Sequence, residues 1–193
     1  MKINKILGTA FALCIMTSAS FAQDAKKQAE KQNEKKFEDS KLEKDADFVV
    51  EAADAGMYEV QVAALAKSNA TSNKVKELAS HMFTDHTKAN EELKKVAAKK
   101  NITIPTKLSD KKQNKFDKLL KLKGEDFDKE YTDMMVDDHE DDIKLFEKEA
   151  EKGNDGELKA WAAGKLPTLK HHLQMAKDTR DALKNSGGAV KNK

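Results

Sequence analysis

Residues 75–96 read VKELASHMFTDHTKANEELKKV, and the spacing of the apolar positions within them decides the fold. Val75, Ala79, Met82, Ala89, Leu93 and Val96 recur every three or four residues, with Leu78 beside them. This is the period of a helix that buries one stripe and leaves the rest to Lys and Glu. The seam position between Met82 and Ala89 is His86, an imidazole where a hydrophobic residue is expected.

The same period predicts three more long helices. Upstream, Asp45 to Ser68 turns Phe48, Ala52, Ala55, Val62, Leu65 and Ala66 to one side, and Thr71 or Ser72 is placed to cap the helix that follows. Downstream, that helix ends near Lys100, because Pro105 forbids helix through 101–105. Ser109-Asp110 starts a short helix with Phe116, Leu119, Leu120 and Leu122, which Gly124 breaks or kinks. A third long helix runs from about Glu125 through Phe127, Tyr131, Met134, Met135, Leu145, Phe146 and Ala150 to Gly153-Asn154. A fourth starts at Asp155 or Gly156 and carries Leu158, Trp161, Ala162, Leu166, Leu169, Ala176 and Leu183, with Pro167 expected to kink it. Two of the connections are only a few residues long, so the helices form two antiparallel hairpins. The fold expected is all-α: an antiparallel four-helix bundle with a short extra helix between the hairpins, both hairpin turns lying at one end. Met82-Phe83-Thr84-Asp85-His86 also matches Met135-Val136-Asp137-Asp138-His139, a weak internal repeat.

At the start, Lys2 and Lys5 precede an apolar run from Ile6 to Met16, and Ser20 and Ala22 offer small residues for a cut after Ala22. This reads as a secretory signal peptide over 1–22, too short to span a bilayer. Residues 23–44 read as a charged linker, disordered or a fraying helix, because only Phe37 and Leu42 are large and apolar. The bundle is expected over 45–184 and a flexible tail over 185–193. Cleavage removes Cys14, the one cysteine of the chain, and with it disulfides, thiolate chemistry and Cys metal sites. The protein is expected to be exported, periplasmic or associated with an outer membrane, with no transmembrane segment after cleavage.

The 193 residues hold 36 Lys and Arg against 34 Asp and Glu, interspersed, with 6% aromatics. No basic face suited to nucleic acid emerges. An envelope protein partner and a homo-oligomer are both compatible with this composition.

Each long helix turns one ionisable residue onto its apolar seam: Glu59, His86, His139 and His172. Buried ionisable groups are costly unless paired. Measured from the hairpin turns, the histidines stand at about 24, 22 and 27 Å, and Glu59 at about 16 Å, nearer its turn. Histidine with carboxylate is a ligand set for zinc, iron, manganese or copper, with Asp85, Asp138 and Asp54 as candidate outer partners. The same four residues also suit a buried polar network that fixes helix register, and acid–base catalysis is a third use. An enzyme has the least support, since no nucleophile motif, phosphate loop or dedicated acid–base pair is present. The Glu-x-x-His pair of di-iron bundles is missing too: Phe83, Val136, Thr168 and Leu169 stand three before His86, His139, His171 and His172. His81 and His171 fall off the seams. Met57, Met82, Met134, Met135 and Met175 read as core filler rather than a copper(I) site, and the acidic run Asp137 to Asp142 as a solvated face.

Asp47-Phe48-Val49, Gly56-Met57-Tyr58-Glu59-Val60, Leu65-Ala66, Val75-Lys76-Glu77-Leu78-Ala79, Met82, Asp85-His86 and Asn90 follow in an order that resembles a known family. Phe127-Asp128-Lys129-Glu130-Tyr131, Met135, Asp138-His139 and Leu166-Pro167-Thr168-Leu169-Lys170-His171-His172-Leu173 continue it. Over about residues 45–180 the chain resembles the exported bacterial proteins grouped as domain of unknown function 4142. The resemblance implies a ferritin-like four-helix bundle behind a signal peptide, with no established biochemical activity. Beside metal binding, the alternative function is a structural or protein-interaction module of the cell envelope, stress related, in which the His/Glu cluster is a buried polar network without metal.

Overall fold

Six helices follow one another: α1 (Ala25–Phe37), α2 (Glu43–Asn69), α3 (Asn73–Lys99), α4 (Asp110–Leu120), α5 (Gly124–Lys152) and α6 (Gly156–Val190). They come from a computed structural model that describes residues 24–190, with side chains up to residue 185. The expected signal peptide lies outside the described residues. α2, α3, α5 and α6 form the all-α four-helix bundle, in which α2 packs on α3 and α5, and α6 on α5 and α3.

The hairpin turns lie at opposite ends of the bundle, not at one end. Thr71 and Ser72, in the α2–α3 turn, donate their backbone N–H groups to Asp128 near the start of α5, at 3.0 and 2.7 Å. Asn154 and Asp155, in the α5–α6 turn, donate theirs to Asp45 near the start of α2, at 2.9 and 2.7 Å. The chain between α3 and α5 therefore travels the length of the bundle, carrying α4 with it. This is the single long crossover of ferritin-like bundles.

Local chemistry fixes that crossover. α3 stops with Asn101 in the left-handed region, φ 56°, while Ile102 N–H bonds the Ala97 carbonyl and Asn101 N–H bonds that of Ala98. This closes the last turn as a left-handed C-cap does. Asn33 of α1 then holds Thr103 through two hydrogen bonds of 2.7 and 2.8 Å. Asp54 of α2 accepts from Ser109 N–H and Oγ at 2.8 and 2.7 Å, and Ser109 caps α4 by accepting from Lys112 N–H.

Three expectations change. Residues 23–44 are not a free linker: α1 docks through Ala25, Ala29 and Asn33, all buried, a four-residue repeat of small side chains invisible to a search for large apolar residues. Neither Thr71 nor Ser72 caps α3 with its side chain: the Ser72 side chain makes no capping bond, the Thr71 hydroxyl donates to Asp128, and Asp128 ties down the turn before the helix instead. At the other end the backbone of α6 continues helically through Gly187 and Gly188 to Val190 rather than stopping at Asn185, because glycine raises the cost of a helix by only about 1 kcal/mol per residue.

The hydrogen bonds also expose a repeat other than the expected one. Asp45 and Asp128, Thr71 and Asn154, Ser72 and Asp155 are pairs separated by 83 residues, and each pair makes the same contact. The helix starts Asn73 and Gly156 share that spacing. The two hairpins are thus related about an approximate twofold axis. The Met-x-x-Asp-His match instead joins α3 to α5, which are not equivalent members of the hairpins.

Two apolar clusters fill the bundle. One gathers Tyr58, Val62, Leu78, Met82, Phe127, Tyr131 and Met135 toward the α2–α3 turn. The other gathers Phe48, Val49, Leu93, Phe146, Leu158 and Leu169 toward the α5–α6 turn, with the Phe48 and Phe146 rings edge to face at 5.2 Å. Met57, Met82, Met134, Met135 and Met175 all belong to the first cluster or pack against it, as core filler does.

Candidate metal centre

His86, His139 and His172 lie between the two apolar clusters, near the middles of α3, α5 and α6. Their level heights hold although the turns lie at opposite ends, because a midpoint stays a midpoint whichever way its helix runs. All three are buried, His139 and His172 completely.

Their ring nitrogens are committed on one side only. His86 Nδ1 lies 2.9 Å from Glu59 Oε2. His139 Nδ1 lies 2.9 Å from the Met135 carbonyl oxygen, which can only accept. His172 Nε2 lies 2.9 Å from Asp85 Oδ2. Each of these nitrogens therefore carries the ring hydrogen and donates it, which leaves lone pairs on His86 Nε2, His139 Nε2 and His172 Nδ1. Those three atoms face one another. His139 Nε2 is 3.4 Å from each of the other two, and all three lie within 4.8 Å of one another.

Burial holds all three histidines neutral, lowering each to about 4. The neighbouring carboxyls are pushed the other way. Asp142 is raised well above the usual carboxylate range, first by burial and then by the charge of Glu59. Burial also raises Glu59, while His139 and Lys112 pull it down. Both carboxyls are thus raised by burial, and Glu59 Oε2 faces the His86 Nδ1. Lys112 of α4 closes this side, its Nζ 3.2 Å from Asp138 Oδ1 and 4.6 Å from the centre of the Tyr58 ring.

The structure sorts the expected residues. It brings the three histidines to one point. Glu59 stands behind two of the rings, its Oε1 3.5 Å from His139 Nδ1, rather than at the point of convergence. Asp85 is the partner of His172. Asp138 pairs with Lys112 and Lys115, and Asp54 caps α4, so neither orients a histidine. His81 and His171 are exposed. The acidic run is not wholly solvated: Asp138 and Asp142 are buried. Asp142 was hidden among its neighbours, yet it stands three residues after His139 on the same helix face and 83 after Glu59.

Such an arrangement can hold a metal. An ion bound by imidazoles at about 2.05 Å in tetrahedral geometry sets its nitrogens about 3.4 Å apart, the spacing found from His139 to either neighbour.

No curated protein matches this chain. A crystal structure of a candidate secreted protein, DUF305, from Streptomyces coelicolor is similar, with a TM-score of 0.58 at 12% identity, covering 72% of this chain and 93% of that one. At that identity the likeness shows the shared helical fold alone. A family model matches residues 20–179, in line with the resemblance carried by the motifs. The chain therefore belongs to the family described as Domain of unknown function (DUF4142).

Proposed function

We propose that this protein is an exported helical bundle that binds one transition-metal ion through His86, His139 and His172, with Glu59, Asp85 and the Met135 carbonyl orienting the rings. One observation carries the reading: three buried imidazole nitrogens converge, and none of them has a hydrogen to give another. A purely polar network needs a donor between each pair of acceptors. Protonating a ring would supply one, and burial opposes that. A cation satisfies all three lone pairs at once.

The donor set narrows the ion. Three imidazoles without thiolate suit zinc or copper, and without Glu59 at the centre there is no two-histidine, one-carboxylate face of the kind that holds non-haem iron. The carboxylates of Glu59 and Asp85 balance a dication, as outer partners of metal-bound histidines commonly do.

Export is supported by the leader-like residues 1–22, and no described helix is long and apolar enough to cross a membrane. Element-resolved mass spectrometry on untagged protein purified without chelator tests the centre. One zinc or copper per chain, lost in a His86→Ala, His139→Ala double variant, is the expected result. Protein that stays metal-free after reconstitution overturns the reading and leaves a structural or interaction module of the envelope.

A further inference from the structure

We infer that a metal held by the three histidines keeps one coordination position open toward the α3–α6 face, where a small exogenous donor, anionic or neutral, reaches it from solvent. The inference rests on the metal-binding reading and goes beyond it, because it separates a reactive or exchangeable centre from a closed structural one.

Three protein ligands leave a tetrahedral ion one position short, the pattern of metal sites that do chemistry rather than hold a fold together. Among the described residues no side chain fills the gap. Glu59 Oε2 is engaged by His86 and Asp85 Oδ2 by His172. Among the described residues, the cluster with atoms close enough to share an ion holds only the three histidines.

The direction of the opening follows from what lies on each side. Toward α2 and α5 the rings are backed by Glu59, and the buried Asp142 and the Lys112 side chain brought in by α4 lie on the same side. A groove of about 720 Å³ runs outside that wall, past Lys111, Lys115 and Asp141, and no histidine lines it. Toward α3 and α6 the wall is missing. His86 and His172 themselves line a cavity of about 120 Å³, together with Asp85, Ala89, Phe146 and Leu169. Liquid water takes about 30 Å³ per molecule, so a ligand of two or three atoms fits. The cavity follows the approximate twofold repeat: Asp85 and Thr168, His86 and Leu169, and Ala89 and His172 all line it, each pair 83 residues apart. In this repeat small Ala89 is the counterpart of a histidine, and the space that a larger side chain would occupy becomes the passage. Asp85 stands at the rim, with 42% of its side chain exposed, while hydrogen-bonded to the buried His172.

The test loads the purified protein with one equivalent of copper(II) and titrates azide, read by electron paramagnetic resonance and charge-transfer absorption. A saturable one-to-one azide complex is expected. Ala89→Phe, which narrows the cavity without replacing a ligand residue, is expected to keep the copper stoichiometry and weaken azide at least about tenfold. Thr168→Trp supplies a second plug at a half-exposed position, should the first disturb folding. Bound copper whose spectrum ignores azide overturns the open position and leaves the metal reading standing. Azide binding that is equal in wild type and both folded plugs overturns the route. Failure to bind copper or zinc overturns both.

Discussion

Glu59 reaches from α2 to His86 on α3, its Oε2 2.9 Å from the ring Nδ1, and thereby fixes which nitrogen of that histidine is left for a metal. The gap that counting from the turns suggested is small in the structure. Glu59 lies ten residues before the end of α2 and His86 thirteen after the start of α3, a difference of about 4.5 Å along the axis, which a glutamate side chain covers.

Removing that orientation should weaken metal more than it harms the fold. Glu59→Gln keeps an acceptor for His86 but loses the charge, and zinc affinity measured by chelator competition is expected to fall about 10- to 100-fold. Because the same change removes a buried charge, the metal-free variant should be no less stable to urea than the wild type.

Metal and stability are linked, since the unfolded chain cannot bring residues 86, 139 and 172 together. Ligand at about a hundredfold excess over its Kd adds about 2.7 kcal/mol, which raises the Tm of a chain of this size by about 5–10 °C. Differential scanning fluorimetry with and without zinc should show that rise, and His172→Ala should abolish it.

Glu149 gives the clearest pH dependence away from the centre. Buried beside Asp45, with its Oε1 lacking a hydrogen-bond partner, it is raised from the ordinary 4.5 to about 7, first by burial and then by the Asp45 charge. A raised folded value means that the folded state binds the proton more tightly. The stabilisation is fully present below about pH 4.5 and is lost as pH rises through about 7. Glu149→Gln, which mimics the protonated form, should leave the urea midpoint unchanged at pH 5 and raise it at pH 8, with a Tm gain there of about 2–4 °C.

Asp45 and Asp128 should each be worth far more than an ordinary surface acid. Each accepts two backbone N–H groups of a turn belonging to the other hairpin. Charged acceptors of this kind contribute about 1.5–3 kcal/mol. Chemical denaturation of Asp128→Ala and Asp45→Ala should show losses of about that size. At opposite ends of the bundle the two losses should add, and Asp128→Asn should recover part of its share.

How far the sequence could be read depends on which residues carried the signal. The four long helices were legible because large apolar residues mark their seams, and the histidines because an imidazole interrupts such a seam. The docking of α1 was not, since Ala25, Ala29 and Asn33 pack by being small. The crossover was not, because 24 residues between α3 and α5 can return to the same end or span the bundle, and only Asp128 and Asp45 settle which. The place of Glu59 behind the rings was not either, because a seam position tells that a side chain turns inward but not which side of a neighbouring ring it meets. The repeat was concealed for a similar reason: at a spacing of 83 the paired residues keep a contact, aspartate to turn amide, while Thr71 and Asn154 or Ser72 and Asp155 differ in identity.

The exchanged aspartates have a consequence for how the chain can be divided. Each hairpin carries the group that completes the other's turn, so neither half is a finished unit. Cut within the crossover, the chain would give two fragments, each missing a piece its counterpart holds. Mixed, they have a specific reason to reassemble, and the centre, with one histidine from the first fragment and two from the second, exists only in the reunited pair.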